Sequence, residues 1–178
     1  MDEPGNHLNA KDFLADRLQG LRPGVVVCVI NKDFRALFGL NSEHGIWGMP
    51  QGGIKEGENL IDALKREIKQ ELGEEFLNSL FILPEPLVAI DQVFFPEKSL
   101  QGKKLAVNGK EIPMVGKKYY FCLVAQTKDM EPAKIEYADF KRVLYEEGKQ
   151  LVGQIPQKGK KRILLNILEI LKENGFIK

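Results

Sequence analysis

Acidic and amide side chains recur at one-turn spacing within the segment WGMPQGGIKEGENLIDALKREIKQELGEE, residues 47–75. Residues three and four apart share one face of a helix, so Glu67, Gln70 and Glu71 should project together. Carboxylates held this close repel one another, and a divalent cation removes the repulsion. Mg²⁺ and Mn²⁺ prefer carboxylate oxygens and usually keep waters, which suits them to clamping phosphates. The spacing therefore favours a metal site built on a helix.

The residues around this face fit the same interpretation. The preceding turn, PQGGIKEGE, contains glycines that let the backbone approach an ion or a phosphate closely. A helix predicted over residues 58–72 buries its other face through a stripe made of Ile61, Leu64, Ile68 and Leu72. The alternative is an ordinary solvated helix face, on which Arg66 simply pairs with a carboxylate.

The same stretch resembles the Nudix box of the Nudix hydrolases. In that pattern a glycine, five residues, a glutamate and seven residues precede Arg-Glu-aliphatic-x-Glu-Glu-x-Gly-aliphatic. The residues that match it are Gly52, Glu58, Arg66, Glu67, Ile68, Glu71 and Gly73. Gln70 stands where the box has a glutamate, and Glu74 stands where it has an aliphatic residue.

Gln70 is the departure with chemical consequences. An amide takes no proton and ligates a divalent ion less strongly than a carboxylate, so we expect lowered activity with the fold retained. Two explanations are open: a natural variant that assigns the general base to another residue, or a substitution introduced to hold substrate without turnover.

The resemblance extends from about Arg22 to Leu165 and narrows to bacterial RNA 5′-pyrophosphohydrolases and the related dinucleoside polyphosphate hydrolases. It is carried by RPGVVVCVI, WGMPQGGIKEGE, GKKYYFCLVA and QIPQKGKKRIL, in that order. It implies the Nudix fold, an α+β architecture with a mixed β-sheet sandwiched between α-helices. It also implies Mg²⁺ or Mn²⁺ as cofactor, with a metal-activated water attacking a phosphorus of a nucleoside polyphosphate.

The resemblance further implies roles for individual residues. The implied metal ligands and catalytic residues are Glu67, Gln70, Glu71 and Glu136, of which Glu136 is an additional ligand or the base. The alternative for Glu136 is an exposed loop acid. Arg66 would orient the carboxylates, and Glu58 and Gly73 would order the surrounding loop. The implied substrate-binding residues are Arg22, Gly52, Gly53 and Lys158.

Three functions stay open at this point. The resemblance in QIPQKGKKR favours removal of pyrophosphate from triphosphorylated RNA 5′ ends, and hydrolysis of dinucleoside tetraphosphate (Ap4A) is the alternative. Both substrates present the same phosphate chain, so contacts beyond the phosphates must distinguish RNA from Ap4A. The candidate residues for these contacts are Arg22, Lys158, Lys160, Lys161 and Arg162. A module that senses a nucleotide without cleaving it belongs to another class. Gln70 favours that module, whereas Gly52, Glu67 and Glu71 argue against it.

The elements that must position these residues are readable from hydrophobic periodicity. Strands are predicted at GVVVCVI, RALFGL, PLVAIDQVFF, KYYFCLVAQ and FKRVLY, and helices at NAKDFLADRLQGL and KKRILLNILEILKEN, the latter capped by Gly175. Residues 1–20 are expected to form an N-terminal extension and residues 21–178 a single Nudix domain. The lysine-rich connection 97–118, with its tight turn VNGK, is either a basic flap over the active site or a solvated hairpin.

Composition limits the partners. Lys and Arg number 26 against 25 acidic residues, so any attraction for nucleic acid must come from local patches. Cys28 and Cys122 lie in apolar runs, where thiols are expected to act as small buried hydrophobes. The N-terminus lacks the pattern of a secretion signal, and no apolar run is long enough to span a bilayer. A cytoplasmic protein without a membrane partner is expected.

Overall fold

A mixed β-sheet forms the centre of the protein, whose computed structural model describes residues 8–178. The strands are β1 (Leu21–Ile30), β2 (Ala36–Asn41), β3 (Trp47–Gly48), β4 (Gln51–Gly53), β5 (Leu80–Phe94), β6 (Lys104–Val107), β7 (Lys110–Pro113), β8 (Gly116–Gln126) and β9 (Tyr137–Val143). The helices are α1 (Ala10–Leu18), α2 (Leu60–Leu72), α3 (Glu74–Asn78), α4 (Glu97–Leu100), α5 (Tyr145–Gly153) and α6 (Lys158–Glu173).

The main sheet has the order β3-β2-β1-β8-β5, with β4 beside β1 and β9 beside β2. Strands β1 and β8 are parallel, and the other pairs are antiparallel. Strand β1 is buried on both faces, which explains its continuous apolar run. Alternate residues of β1 enter two different cores. The predicted strands and the mixed sheet are confirmed.

Helices cover both faces of this sheet. Val26 and Cys28 pack in a core with α5 and α6, and Val25 and Val27 pack in a core with α1 and α2. Cys28 and Cys122 are both fully buried, as expected. Burial raises the pKa of the Cys122 thiol to about 12. The α+β sandwich expected from the sequence is confirmed.

Several element boundaries differ from the predictions. Helix α2 begins at Leu60, not at residue 58, because the Asn59 side chain accepts a hydrogen bond from the Asp62 N–H (2.8 Å) and caps the helix. Strand β9 ends at Val143, because the apolar residues after it enter α5. The sequence predictions omitted α3, α4 and α5 and the short strands β3 and β4.

All three predicted helices are present. Helix α6 ends as expected, with Gly175 at φ 75 and the Phe176 N–H bonded to the Leu171 carbonyl (2.9 Å). Helix α1 lies in the expected N-terminal extension, whose residues 1–7 lie outside the described residues. The division at residue 20 stays a prediction. In the described chain, no helix is long and apolar enough to cross a bilayer.

The insertion between β5 and β8 is a folded unit. It consists of α4 and the β6–β7 hairpin, whose VNGK turn has Asn108 at φ 50 and Gly109 at φ 76. Its apolar side chains form a third small cluster, which includes Leu14 of α1. One face of the hairpin is therefore packed against α1, so the hairpin is not freely solvated, while its role as a basic flap over the active site stays a prediction.

Candidate active site

Helix α2 carries two buried carboxylates. Glu67 and Glu71 are 7% and 6% exposed, while the apolar stripe of the same helix packs on the sheet. The Glu67 carboxylate lies against Gly52 of β4, where an added Cβ would lie 2.0 Å from carboxylate atoms. Glycine at this position is therefore required by the close approach of Glu67.

Arg66 connects the helix to the glycine-rich segment. Its Nε and Nη2 donate to the two carboxylate oxygens of Glu58 (2.7 and 2.8 Å), and its Nη1 donates to Glu67 Oε1 (2.6 Å). Nη2 also donates to the Gly53 carbonyl (2.7 Å). The hydrogen bond from Arg66 is the largest cause that lowers the pKa of Glu58. This guanidinium fixes the rotamer of Glu67 and the path of the loop before α2.

Glu71 is held from the sheet side. Its Oε2 accepts hydrogen bonds from the Gln51 N–H (3.2 Å) and the Tyr137 hydroxyl (3.1 Å). The pKa of Glu71 is raised to about 8. Burial is the largest cause, followed by the neighbouring carboxylates of Glu67 and Glu136. Tyr137 was missed by the sequence reasoning, because its contact with Glu71 joins residues far apart in the chain.

Glu136 comes beside Glu71 because of the segment that precedes β9. The Ala133 N–H donates to the Leu72 carbonyl at the end of α2 (2.9 Å). The Ser42 N–H and hydroxyl donate to the Glu136 carbonyl (3.2 and 3.0 Å). The Glu136 side chain itself is exposed. The structure therefore places Glu136 beside Glu71.

Gly73 permits this docking of the segment. Its φ of 96 and ψ of 154 are open to glycine alone. An added Cβ would also lie 3.1 Å from the Ala133 Cβ. Gly73 thus lets the chain leave α2 while residues 132–136 pack against it.

Gln70 lies at the margin of the cluster. Its side chain is exposed, and its amide oxygen lies 3.4 Å from Arg66 Nη1. The residue therefore adds an amide beside the guanidinium and no negative charge to the carboxylate group.

A basic cluster lies next to the glycine segment. Arg22 is exposed on β1, and its Nη2 would lie 3.2 Å from a Cβ placed on Gly53. Lys117 is its register partner on β8. The pKa of Lys117 is lowered by burial first and then by the charges of Arg22, Lys160 and Lys103. The sequence analysis had assigned Lys117 to the insertion alone.

Two further residues expected to contact substrate, Lys158 and Arg162, differ in how strongly they are held by the protein. Lys158 is exposed at the first position of α6. Arg162 is engaged within the protein, since it donates to the Asp91 carboxylate (3.1 Å) and the Gln92 carbonyl (2.6 Å). Arg162 is therefore less available to a ligand than the sequence suggested.

Comparison with known proteins identifies the family. Residues 20–144 match the family model described as the NUDIX domain. The chain belongs to the Nudix family. The family suggested by the residues of the Nudix box is thus confirmed.

Individual Nudix relatives differ in how far they match. An RNA pyrophosphohydrolase from Hydrogenovibrio crunogenus is 38% identical over 56 residues, which are 32% of this chain and 34% of that protein. The match thus spans about a third of the curated relative's length.

Solved Nudix structures match along most of the chain. A C. elegans Ap4A hydrolase binary complex has a TM-score of 0.59 at 16% identity, covering 86% of this chain and 97% of that one. The E. coli dihydroneopterin triphosphate pyrophosphohydrolase has a TM-score of 0.58 at 13% identity, covering 84% and 97%. At these identities the likeness shows the fold.

The donors of the Nudix site suit a hard divalent cation. Within residues 8–178, no group of three His, Cys, Asp or Glu side chains is arranged so that it could hold a metal ion. The oxygen atoms of Glu67 and Glu71 are buried side by side, however, and the raised pKa of Glu71 marks negative charge that a cation would offset. The residues present therefore fit a hard divalent cation by donor type and charge.

Proposed function

We propose that this Nudix protein is a Mg²⁺- or Mn²⁺-dependent pyrophosphohydrolase that cleaves a nucleoside polyphosphate linkage. The observation that carries the proposal is the burial of Glu67 and Glu71 next to each other at the glycine strand β4, with Glu136 beside Glu71. Two carboxylates buried side by side, with the pKa of Glu71 raised by burial and by its neighbours, are unfavourable for folding alone and are typical of a cation site.

The individual side chains of the site have different proposed roles. Glu67 and Glu71 would hold the cation, with Glu136 as the third carboxylate and Gln70 as a weaker oxygen donor. The bound cation supplies charge neutralisation for the phosphates and lowers the pKa of water. Arg66 keeps Glu67 oriented through its bonds to Glu58 and the Gly53 carbonyl.

Gln70 requires that the base be sought elsewhere, because an amide accepts no proton. We assign this role to Glu136, whose side chain is exposed beside Glu71. Glu67 is less suited, because its carboxylate already accepts a hydrogen bond from Arg66 at 2.6 Å.

The substrate we favour is the triphosphorylated RNA 5′ end. The basic cluster of Arg22, Lys117 and Lys160 supports this choice, since RNA continues past the first nucleotide as a charged backbone. Dinucleoside tetraphosphate is the second candidate, because its phosphate chain suits the same carboxylate group. Gln70 is the observation that favours a nucleotide-sensing module.

A side-by-side assay tests these functions. Wild-type protein and the Gln70→Glu variant are incubated with triphosphorylated RNA or diadenosine tetraphosphate, with Mg²⁺ or Mn²⁺. We expect both proteins to produce 5′-monophosphate RNA from triphosphorylated RNA. The rate of Gln70→Glu should be roughly tenfold higher than that of the wild type, because the variant adds a ligating carboxylate. Glu74→Gln, an exposed change just after the helix, is the control and should leave the rate unchanged.

Each alternative has its own outcome. A far larger kcat/KM for diadenosine tetraphosphate, without 5′-monophosphate RNA, excludes the RNA substrate. Tight binding without product from either compound, even in Gln70→Glu, favours the sensor. Equal rates for wild type and Gln70→Glu remove Gln70 from the mechanism.

A further inference from the structure

Helix α1 is firmly attached to the sheet. Phe13 is 2% exposed and packs edge-on against the Tyr120 ring, with ring centroids 5.1 Å apart. The buried Asp16 carboxylate accepts hydrogen bonds from the Tyr120 hydroxyl and from Lys118 Nζ (2.9 Å). These contacts make α1 a fixed support, although it precedes the residues that match the Nudix domain.

Arg17 extends from this support to two other segments. Its Nη2 donates to the Ile54 carbonyl at the end of the glycine segment, and its Nη1 donates to the Ala106 carbonyl of the inserted hairpin (3.4 Å). The adjacent carbonyl, that of Gly53, accepts from Arg66. Two guanidinium groups from different helices therefore hold consecutive carbonyls of the same segment.

The loop between β4 and α2 depends on such contacts at its ends. At its far end, the Leu60 N–H, the first of α2, donates to the Leu8 carbonyl (3.1 Å). Between the two ends, Lys55, Glu56 and Gly57 are exposed and border a cavity of about 210 Å³ that α1 and Asn108 also line. The middle of the loop borders open space and forms its own turn, in which the Glu58 N–H donates to the Lys55 carbonyl (3.1 Å), and the hydrogen bonds at its two ends join this turn to α1.

We propose that Arg17 is a positioning residue for the active site, an inference that rests on the proposed function. Arg17 fixes Ile54, and the next amide, Lys55 N–H, donates to Glu58 Oε1 (2.7 Å). Glu58 in turn orients Arg66, which orients Glu67. The N-terminal helix and the insertion thus hold a metal-binding carboxylate in place without touching it.

The test compares Arg17→Met, Arg17→Lys and the control Lys11→Met, which removes a cation from the same helix and the same cavity wall. For Arg17→Met we expect kcat to fall roughly tenfold or more with KM little changed, and Mn²⁺ affinity measured by electron paramagnetic resonance to fall comparably. Arg17→Lys should recover part of both, because an ammonium still reaches one carbonyl. Lys11→Met should match wild type.

Hydrogen exchange separates this inference from the proposed function. Amides of residues 54–60 should exchange faster in Arg17→Met than in Lys11→Met, while core strand β1 keeps its protection in both. If kcat, Mn²⁺ affinity and the exchange of residues 54–60 in Arg17→Met all equal the wild-type values, the inference is wrong. If wild-type protein neither binds Mn²⁺ nor hydrolyses either substrate, the proposed function fails, and exchange in residues 54–60 still decides whether Arg17 holds the loop.

Discussion

At the scale of single residues, the absence of a side chain at Gly52 is as important for the site as the side chains around it. Glu67 reaches the sheet only because Gly52 leaves room for its carboxylate, and Arg66 then fixes the carboxylate from the other side. Gln70 in contrast is exposed and makes a long contact with Arg66. The buried carboxylates of α2 are therefore Glu67 and Glu71, and Gln70 lies outside this pair.

Gly52→Ala tests the close approach of Glu67. An added Cβ would lie 2.0 Å from its carboxylate, so Glu67 must turn away and its bond to Arg66 must break. We expect the rate of hydrolysis to fall roughly a hundredfold, because Glu67 would lose the orientation in which it is proposed to bind the metal. The variant should still unfold cooperatively. Gly48→Ala is the control, because its Cβ would meet nothing nearer than 4.0 Å. Equal activity of the two variants would contradict this interpretation.

At the scale of elements, the segment before β9 and the end of α2 act together. Gly73 adopts a conformation that L-residues rarely adopt, and Ala133 bonds to the preceding Leu72 carbonyl. Arg142 of β9 donates to the Met130 carbonyl (2.8 Å) and to Gln126 Oε1, which fastens the beginning of the same segment. The position of Glu136 therefore depends on contacts made from β9 and from the end of α2, as well as on Gly73.

Gly73→Ala should loosen this segment. Backbone strain of about 1–3 kcal/mol, added to the 3.1 Å approach to Ala133, favours release of the segment from α2. We expect the melting temperature to fall by roughly 2–10 °C and the rate to fall with it as Glu136 moves away. Gly153→Ala is the control, since nothing lies within 4 Å of its Cβ position. A lower melting temperature with an unchanged rate would show that Glu136 takes no part in hydrolysis.

Periodicity predicted the elements with strong local signals and no others. The β-branched run of β1 and the apolar stripes of α2 and α6 gave correct assignments, because burial on the sheet imposes those patterns. Helix α5 was missed because its first apolar residues continue the apolar end of β9. Contacts between distant segments, such as Tyr137 with Glu71 and Arg17 with Ile54, leave no periodic signal. The grouping of Glu136 with Glu71 was expected through family resemblance alone.

At the scale of the whole molecule, Glu71 links folding stability to pH. Its pKa is raised from 4.5 to about 8, so between these values the folded state binds more protons than the unfolded state. The free energy of unfolding should therefore fall as pH rises through this window. Glu58, whose pKa is lowered, has the opposite effect, confined to more acidic pH.

Melting temperatures measured with a chelator between pH 5 and 8.5 check this linkage. We expect a decline of several degrees in wild type and a flatter profile in Glu71→Gln, which removes the charge. Added Mg²⁺ should raise the wild-type melting temperature more at pH 8 than at pH 6, because it offsets the ionised carboxylate. Parallel profiles for wild type and Glu71→Gln would assign the decline to other groups.

The distribution of charge over the whole molecule leads to the last prediction. The net charge is only +1, so any salt-sensitive binding of RNA must arise from the local cluster of Arg22, Lys117 and Lys160. Each phosphate contact to single-stranded RNA contributes about 0.7 to the slope of log affinity against log salt. A short dinucleotide offers fewer such contacts outside the shared phosphate chain. RNA affinity should therefore fall with salt more steeply than affinity for diadenosine tetraphosphate.

The combined change Lys160→Gln and Lys161→Gln identifies the contacts. If both lysines meet the RNA backbone, the slope for RNA should become shallower by roughly 1.4, while the dinucleotide slope changes little. Lys149→Gln with Lys172→Gln is the matched control, because it makes the same change in net charge near the Tyr145 ring. Binding is measured by fluorescence anisotropy between 50 and 300 mM salt, with Ca²⁺ replacing Mg²⁺ to prevent turnover. An equal decrease in slope in both double variants would mean that net charge, and no specific lysine, governs RNA binding.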